Sequence, residues 1–183
     1  MRRVLILIVV LFLSFQSFSQ HTESFYFWPF NNYTQKIDFN ESVNMPNANA
    51  DTLFNNARAF ITAHFRSQKD TILVENDTTN TIICKGAYFV NAEQLGERGK
   101  GYIGFTLSIE CRYNSYRYSF SNFEHYPLRS NGVFGGPLEN ETAACGGRLF
   151  PSRYWNEQKA KCYYMVQTTI EQLKEAMNKN TDG

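Results

Sequence analysis

Apolar and polar side chains alternate in the segment Tyr102-Ile-Gly-Phe-Thr-Leu-Ser-Ile-Glu-Cys111. A period of two residues is typical of a β-strand with one buried face and one solvated face. The side chains predicted to enter the core are Ile103, Phe105, Leu107, Ile109 and Cys111, and those predicted to face water are Gly104, Thr106, Ser108 and Glu110. The segment therefore predicts a sheet that is open to solvent on one side.

Further segments with strand-like composition surround this one. Two precede it and one follows it, at residues 71–75, 81–90 and 116–123, with polar turns at 76–80 and 113–115. Connections this short join antiparallel neighbours, so the four segments predict a meander. A weaker alternation over residues 33–39 predicts one more strand, which a linker at residues 42–50 separates from the next element.

Helical spacing appears before and after the meander. Residues 51–67 carry apolar side chains at i, i+3, i+4 and i+7, and Asn49 or Asp51 can cap the first turn. His64 falls on the apolar side, so we expect it to pack in the core. Residues 152–179 carry a second stripe, formed by Tyr163, Val166, Ile170, Leu173 and Met177. Two helices can together cover the apolar face of the sheet.

The N-terminus has the pattern of a secretory signal peptide. Arg2 and Arg3 precede an apolar run over residues 4–13, and Ser17 and Ser19 occupy the −3 and −1 positions of a cleavage site. The alternative is a membrane anchor, but the apolar run is shorter than the roughly 20 residues that cross a bilayer. We expect removal of residues 1–19 by cleavage near Ser19, which gives a secreted or periplasmic mature chain without a transmembrane span.

An aromatic segment, residues 20–32, opens the predicted mature chain. Residues 25–30 read Phe-Tyr-Phe-Trp-Pro-Phe. Clustered aromatic side chains form contact surfaces when they are exposed, and this would suit an envelope-structural protein that oligomerises through the segment. We favour the alternative, in which the segment packs against its own domain.

Size and charge restrict the choice of protein class. The chain has 183 residues, of which 43% are hydrophobic and 16% aromatic, enough for one domain with a well-packed core. The formal net charge is +1, and removal of the signal peptide with its two arginines leaves 16 basic and 17 acidic side chains. Neither value indicates an electrostatic partner.

A long irregular segment, residues 124–151, separates the meander from the last helix. Long segments of this kind in compact domains are usually functional or cross-linked, and Cys145 lies within this one. In an oxidising compartment the four cysteines favour disulfides, and we predict the pair Cys145–Cys162. Cys84 and Cys111 fall on adjacent predicted strands, where a bond and two buried free thiols are both consistent with the sequence.

Known catalytic and metal-binding motifs are absent from the sequence. It has no C-x-x-C, G-x-S-x-G or H-E-x-x-H pattern, so we predict no metal site and no cofactor. The glycines near Lys100 precede a strand and not a helix, which argues against a phosphate loop. One alternative remains in the enzyme class, a hydrolase whose site is built from the long segment with Glu124, His125 or Glu141.

The order of these elements resembles a known family. The motifs that carry the resemblance are Cys84-Lys85-Gly86, Thr106-Leu107-Ser108-Ile109-Glu110, Tyr116-Arg117-Tyr118 and Leu173-Lys174-Glu175-Ala176-Met177, together with the leader and the first helix. The chain is similar to a secreted Bacteroidota family of unknown function with a TATA-binding-protein-like (TBP-like) fold. The resemblance implies an α+β fold of order β-α-β-β-β-β-α, with a curved antiparallel sheet of about five strands and two helices on one face. Residues 33–123 would form the core of this domain, and 152–179 would complete it.

The fold name does not imply nucleic-acid binding. Residues 51–123 hold eight Lys and Arg against seven Asp and Glu, so the sheet lacks the positive charge that phosphate groups require. We predict a non-enzymatic binding module whose partner is an envelope protein or a small ligand. Its candidate binding residues are the polar side chains on the open face of the sheet, namely Thr106, Ser108, Glu110, Arg112, Arg117 and Ser119.

Overall fold

The computed structural model describes residues 27–65 and 72–179. The predicted signal peptide, residues 1–19, lies outside the described residues. The elements in chain order are β1 (Asp38–Asn44), α1 (Ala50–His64), β2 (Ile72–Asn76), β3 (Thr81–Asn91), a pair of 3₁₀ turns (Glu93–Gly99), β4 (Lys100–Arg112), β5 (Ser115–Pro127), β6 (Gly136–Pro137) and α2 (Ser152–Met177).

The strands form one antiparallel sheet in the order β1-β5-β4-β3-β2, and β6 pairs with the end of β5 beyond β1. The predicted α+β fold with an antiparallel sheet is confirmed, although six strands take part where about five were expected. β4 is the central strand, and Leu107 on it lies opposite Cys84 of β3 and Phe120 of β5. The hairpin between β4 and β5 turns at Tyr113 and Asn114, and Asn114 adopts a positive φ of 64°.

The core lies between the sheet and the two helices. Ile103, Leu107 and Ile109 of β4 have no solvent exposure, whereas Thr106 and Ser108 between them are partly exposed. The alternation read from the sequence is therefore confirmed over the whole strand. Each helix contributes one apolar side: α1 buries Leu53, Phe54, Ala57, Phe60 and Ile61, and α2 buries Trp155, Cys162, Val166, Ile170, Leu173 and Met177.

The first helix begins where its cap was predicted. The Asn49 side chain accepts a hydrogen bond from the Asp51 backbone N–H at 2.9 Å, which satisfies a donor of the first turn. The helix ends at His64, before the predicted end at residue 67, a position outside the described residues. His64 is exposed and stacks on Phe60 with 4.9 Å between ring centroids, so the prediction of a core histidine was wrong.

The first strand is displaced from its predicted position. Residues 33–39 were expected to be extended, but the Asn31 side chain accepts hydrogen bonds from the backbone N–H groups of Tyr33 and Thr34 and closes a turn there. The strand begins only at Asp38. It then continues through Ser42 into the predicted linker, because its backbone pairs with β5 as far as Asn44.

The second strand also differs from its prediction. Alternation over residues 71–75 predicted a half-buried strand, yet every residue of β2 is exposed. The reason is its place at the edge of the sheet, beyond the part that the described helices cover. A two-residue period predicts a strand but cannot place that strand within a sheet.

The segment 124–151 is more regular than the sequence indicated. β5 continues to Pro127, and β6 adds a short sixth strand opposite Glu124 and His125. Four apolar side chains of the segment enter the core: Val133, Leu138, Ala143 and Phe150. The segment is thus a packed part of the domain.

The predicted disulfide Cys145–Cys162 is not formed, and all four cysteines are free thiols. Cys162 is completely buried on the core side of α2, while Cys145 is held in the loop by its backbone N–H, which bonds to the Phe134 carbonyl oxygen at 3.0 Å. No pair of cysteines lies at bonding distance. Burial raises the pKa of Cys84 and of Cys111 to about 12.

Candidate binding face

The six candidate side chains lie on the open side of β4 and β5, opposite the helices. The register makes them neighbours, since Ser108 pairs with Ser119 and Glu110 pairs with Arg117 across the two strands. Thr106, Ser108, Glu110 and Ser119 are partly exposed, and Arg112 and Arg117 are exposed. The structure therefore brings all six residues together on one surface, which we call the polar face.

Hydrogen bonds already satisfy part of the polar face. Arg112 binds the Glu110 carboxylate through Nε at 2.8 Å and through Nη2 at 2.6 Å. The Ser119 hydroxyl donates to Oδ1 of Asp38 on β1 at 2.7 Å. Because the partner of Arg112 is the carboxylate of Glu110, the face contains one satisfied ion pair.

Arg117 is the charged group of the polar face that has no counter-ion. It lies directly opposite Glu110 in the register, yet it forms no ion pair within residues 27–65 and 72–179. A guanidinium group offers several N–H donors in a planar arrangement that suits carboxylate and phosphate groups. Arg117 can therefore bind an anionic group of another molecule without breaking an ion pair of the described residues.

The residues of the hydrolase alternative do not come together. His125 is completely buried, and its Nδ1 accepts a hydrogen bond from the Gly135 backbone N–H at 3.1 Å. Its ring packs against Phe150 and Trp155, and burial lowers the pKa of His125 to about 4. Glu124 points to the open side of the sheet, where it accepts a hydrogen bond from Tyr126.

Glu141, the third residue of that alternative, is exposed in the loop after β6. The three residues thus occupy the open side, the core and the surface, and no nucleophile and base lie together among them. The described residues contain no group of three or more His, Cys, Asp or Glu that could hold a metal ion.

Part of the aromatic N-terminal segment packs against its own domain. Trp28 is buried, and its ring contacts Phe39 at 5.7 Å, Tyr163 at 5.5 Å and Phe123 at 6.4 Å between centroids. Phe27 remains 84% exposed. Residues 25 and 26 lie outside the described residues.

A polar contact on the helix side was not visible in the sequence. Lys174 of α2 binds the Glu41 carboxylate of β1 at 2.6 Å, and the Tyr118 hydroxyl donates to the same carboxylate at 2.7 Å. The hydrogen bond from Lys174 and, to a smaller extent, the one from Tyr118 lower the pKa of the Glu41 carboxylate. These residues come from three distant segments, so no spacing in the sequence could have linked them.

A cavity of about 300 Å³ also lies on the helix side. Its walls come from the end of α1, from β3 and from α2, and include His64, Tyr88, Tyr164, Met165, Thr168, Thr169 and Gln172. The Tyr88 hydroxyl donates to the Thr169 hydroxyl at 2.8 Å, which joins sheet and helix at one wall.

In the described part of the chain, no helix is long and apolar enough to cross a membrane.

The geometry defines a class of protein, an α+β domain whose antiparallel sheet is covered by helices on one face and open on the other. The family model described as "Domain of unknown function (DUF4468) with TBP-like fold" matches residues 39–126. Residues 39–126 therefore match this family, and the resemblance read from the sequence is confirmed. A comparison with curated proteins gives no match.

Two solved structures share the fold. A TBP-like protein from Parabacteroides distasonis ATCC 8503 is 15% identical, with a TM-score of 0.62, over 82% of this chain and 97% of that one. A DUF4468 family protein from Bacteroides ovatus ATCC 8483 is 10% identical, with a TM-score of 0.58, over 85% of this chain and 93% of that one. At these identities the likeness establishes the fold alone.

Proposed function

We infer that the mature chain is a secreted or periplasmic, non-enzymatic binding module that engages an envelope protein through the polar face. The N-terminal pattern that ends near Ser19 supports export, and the absence of any assembled catalytic set among Glu124, His125 and Glu141 favours binding over hydrolysis.

One observation carries the proposal. Arg117 is exposed on a rigid antiparallel pair of strands, opposite a carboxylate that is already bound to Arg112. Its guanidinium group therefore gives up no ion pair of the described residues when it binds a carboxylate of a partner. A charged group of this kind speeds the encounter with an oppositely charged partner and fixes the orientation of the contact.

The proposal is tested by site-specific crosslinking in the envelope. A photo-reactive amino acid at Ser108 samples the polar face, and the same group at Glu171, an exposed position of α2, samples the opposite side of the domain. We expect one discrete crosslinked partner from position 108 and none from position 171. Equal crosslinking from both positions would contradict the proposal.

Arginine variants then show whether the contact depends on charge. Arg117→Ala should weaken capture of the crosslinked partner roughly tenfold, since hydrogen bonds to charged groups contribute about 1.5–3 kcal/mol. Arg112→Ala releases Glu110 and should also weaken capture. Arg153→Ala removes an exposed arginine of α2 and serves as the matched control. Unchanged capture by Arg117→Ala would remove the basis of the proposal.

A further inference from the structure

A row of exposed aromatic rings crosses the open side of the sheet at the end away from the polar face. Phe89 of β3 pairs with Tyr102 of β4, and Tyr102 pairs with Tyr126 of β5. Phe134, from the loop before β6, extends the row beyond Tyr126. The ring centroids are 5.6 Å apart for Phe89 and Tyr102 and 5.8 Å apart for Tyr126 and Phe134. We call these four residues the aromatic row.

The rings remain in solvent although the core is close by. Phe89 and Tyr126 are each 48% exposed, and Tyr102 is 39% exposed. Isolated exposed aromatic side chains are common, but aromatic residues at paired positions of three neighbouring strands are not explained by packing of this domain. The row lies on the outward side of the strands, so the helices do not use it.

Two small residues lie beside the row, and we call their outward surface the trough. Its floor is made by Ala87 and Gly104, which pair across β3 and β4 one step along from Phe89 and Tyr102. A Cβ atom at Gly104 would meet the Tyr126 ring at 3.7 Å, an ordinary contact distance. Gly104 carries no side chain of its own, and the Tyr126 ring lies at one side of its outward surface.

Polar groups border the trough on its other sides. Glu124 pairs with Gly104 across β4 and β5, and Tyr126 donates its hydroxyl to the Glu124 carboxylate. Lys85 lies in the next row, opposite Thr106. Neither Glu124 nor Lys85 forms an ion pair with another described residue. The trough thus holds one acid, one base and one hydroxyl, with no net charge.

The size of this surface selects the kind of ligand. Neighbouring strands are about 4.8 Å apart and alternate residues about 7 Å apart, so row and trough together cover roughly 150 Å². A stable protein interface takes about 800 Å² from each partner. The row and the trough alone therefore do not make up such an interface, and their extent matches a ligand of one or two rings.

The absence of a net charge in the trough further restricts the class of ligand that it can bind. A nucleotide or another phosphate ester would meet the Glu124 carboxylate without a surplus of positive charge to compensate. A neutral sugar fits, because the C–H face of a pyranose ring is apolar and can stack on the aromatic rings. Its hydroxyl groups can donate to Glu124 and accept from Lys85.

We propose that the aromatic row and the trough over Gly104 form a binding site for the sugar rings of a neutral oligosaccharide. The row spans roughly 10 Å from β3 to β5, enough for more than one ring to be in contact. The site occupies the other half of the open side from Arg117 and Glu110, so it goes beyond the contact proposed for the polar face and does not depend on it.

The test uses the purified mature chain and defined probes. Maltohexaose, cellohexaose, xylohexaose and mannohexaose serve as neutral ligands, and a galacturonic acid hexamer serves as the charged one. Binding is followed in proton–nitrogen correlation spectra of the isotope-labelled protein. We expect at least one neutral probe to shift the amide signals of Phe89, Tyr102, Gly104 and Tyr126.

Three variants assign the effect to the site. Tyr102→Leu keeps an apolar side chain on the strand but removes the ring, and it should weaken binding roughly tenfold. Gly104→Ala places a methyl group on the trough floor at ordinary contact distances, and it should weaken binding without loss of folding. Arg117→Ala is the matched control on the polar face and should bind as the unaltered chain does.

The remaining outcomes would overturn the inference. They are the absence of shifts with every neutral probe, shifts with the charged probe alone, and shifts that Tyr102→Leu and Gly104→Ala leave unchanged. A crosslink from position 102 to an envelope protein would assign the row to a protein contact and would also refute it. The sugar-binding measurements do not involve Arg117, so failure of this inference and failure of the proposed protein contact are distinguishable.

Discussion

The stability of this protein is expected to fall as the pH is lowered from about 6.5 to about 4, because His125 is buried in its neutral form. The ring lies among Phe150, Trp155 and the Gly135 backbone, whose N–H donates to Nδ1. Burial lowers the pKa of His125 from its ordinary 6.5 to about 4. In this window the unfolded chain binds a proton that the folded chain does not, so the free energy of unfolding decreases as pH falls.

The size of the effect follows from the two pKa values. One pKa unit corresponds to 1.36 kcal/mol, so a shift from 6.5 to about 4 gives about 3 kcal/mol once the unfolded chain is fully protonated and the folded chain is titrated. Between pH 7.5 and pH 5.0 the loss is about 2 kcal/mol, because only part of that window has been crossed. Above pH 7.5 the ring is neutral in both states and contributes no pH dependence.

Urea unfolding of the mature chain at a series of pH values measures this directly, with tryptophan fluorescence as the signal, since Trp28 and Trp155 are both buried. His125→Asn offers an acceptor near the position of Nδ1 but cannot titrate. We expect it to be less stable at neutral pH, because the lost ring leaves a cavity, and to show a flatter dependence between pH 7.5 and pH 5.0. His64→Asn alters an exposed ring and should keep most of the dependence. Equal slopes for the unaltered chain and His125→Asn would refute the reasoning.

Three further substitutions or treatments give sharp outcomes. Gly86→Ala should cost about 1–3 kcal/mol in urea unfolding, because its Cβ would lie 2.2 Å from Cζ of Phe105, whereas Gly104→Ala should cost less than about 0.5 kcal/mol. In the native protein a maleimide should label Cys145 rapidly, while the other three thiols, which are buried, should react only in denaturant, as mass spectrometry can show. Asn122→Val should destabilise the chain by about 1–2 kcal/mol and Asn122→Gly by much less, since the position has a φ of 56°; equal urea midpoints for these two would contradict it.

Local patterns in the sequence were sufficient for two inner strands of the sheet and for the last helix. β3, β4 and α2 appear within a few residues of their predicted bounds, because a buried face repeats through each of them. The predictions were less accurate where another contact decides the outcome. Because Asn31 closes a turn, β1 begins later in the sequence than predicted, and the edge position of β2 leaves its apolar residues exposed.

The sequence predicted the polar face of the sheet but not the aromatic row. The polar face lies on two strands joined by a tight hairpin, so the outward positions of each strand, read in order, already gave Ser108 and Ser119. The aromatic row takes one residue from each of three strands and one from a loop. Its assembly depends on the register between Phe89, Tyr102 and Tyr126, which no local pattern specifies.

A single extra residue in β5 explains both why His125 is buried and why Tyr126 belongs to the aromatic row. Up to Phe120 the even-numbered residues of β5 point into the core, and an uninterrupted strand would continue with residues 122, 124 and 126. The register shifts between the pairs Thr106–Ser121 and Gly104–Glu124, which leaves Asn122 as an extra residue in a bulge. Beyond it the odd-numbered residues turn inward, so His125 enters the core and Tyr126 reaches the open side. The residue that turns His125 into the core therefore also brings Tyr126 to the aromatic row.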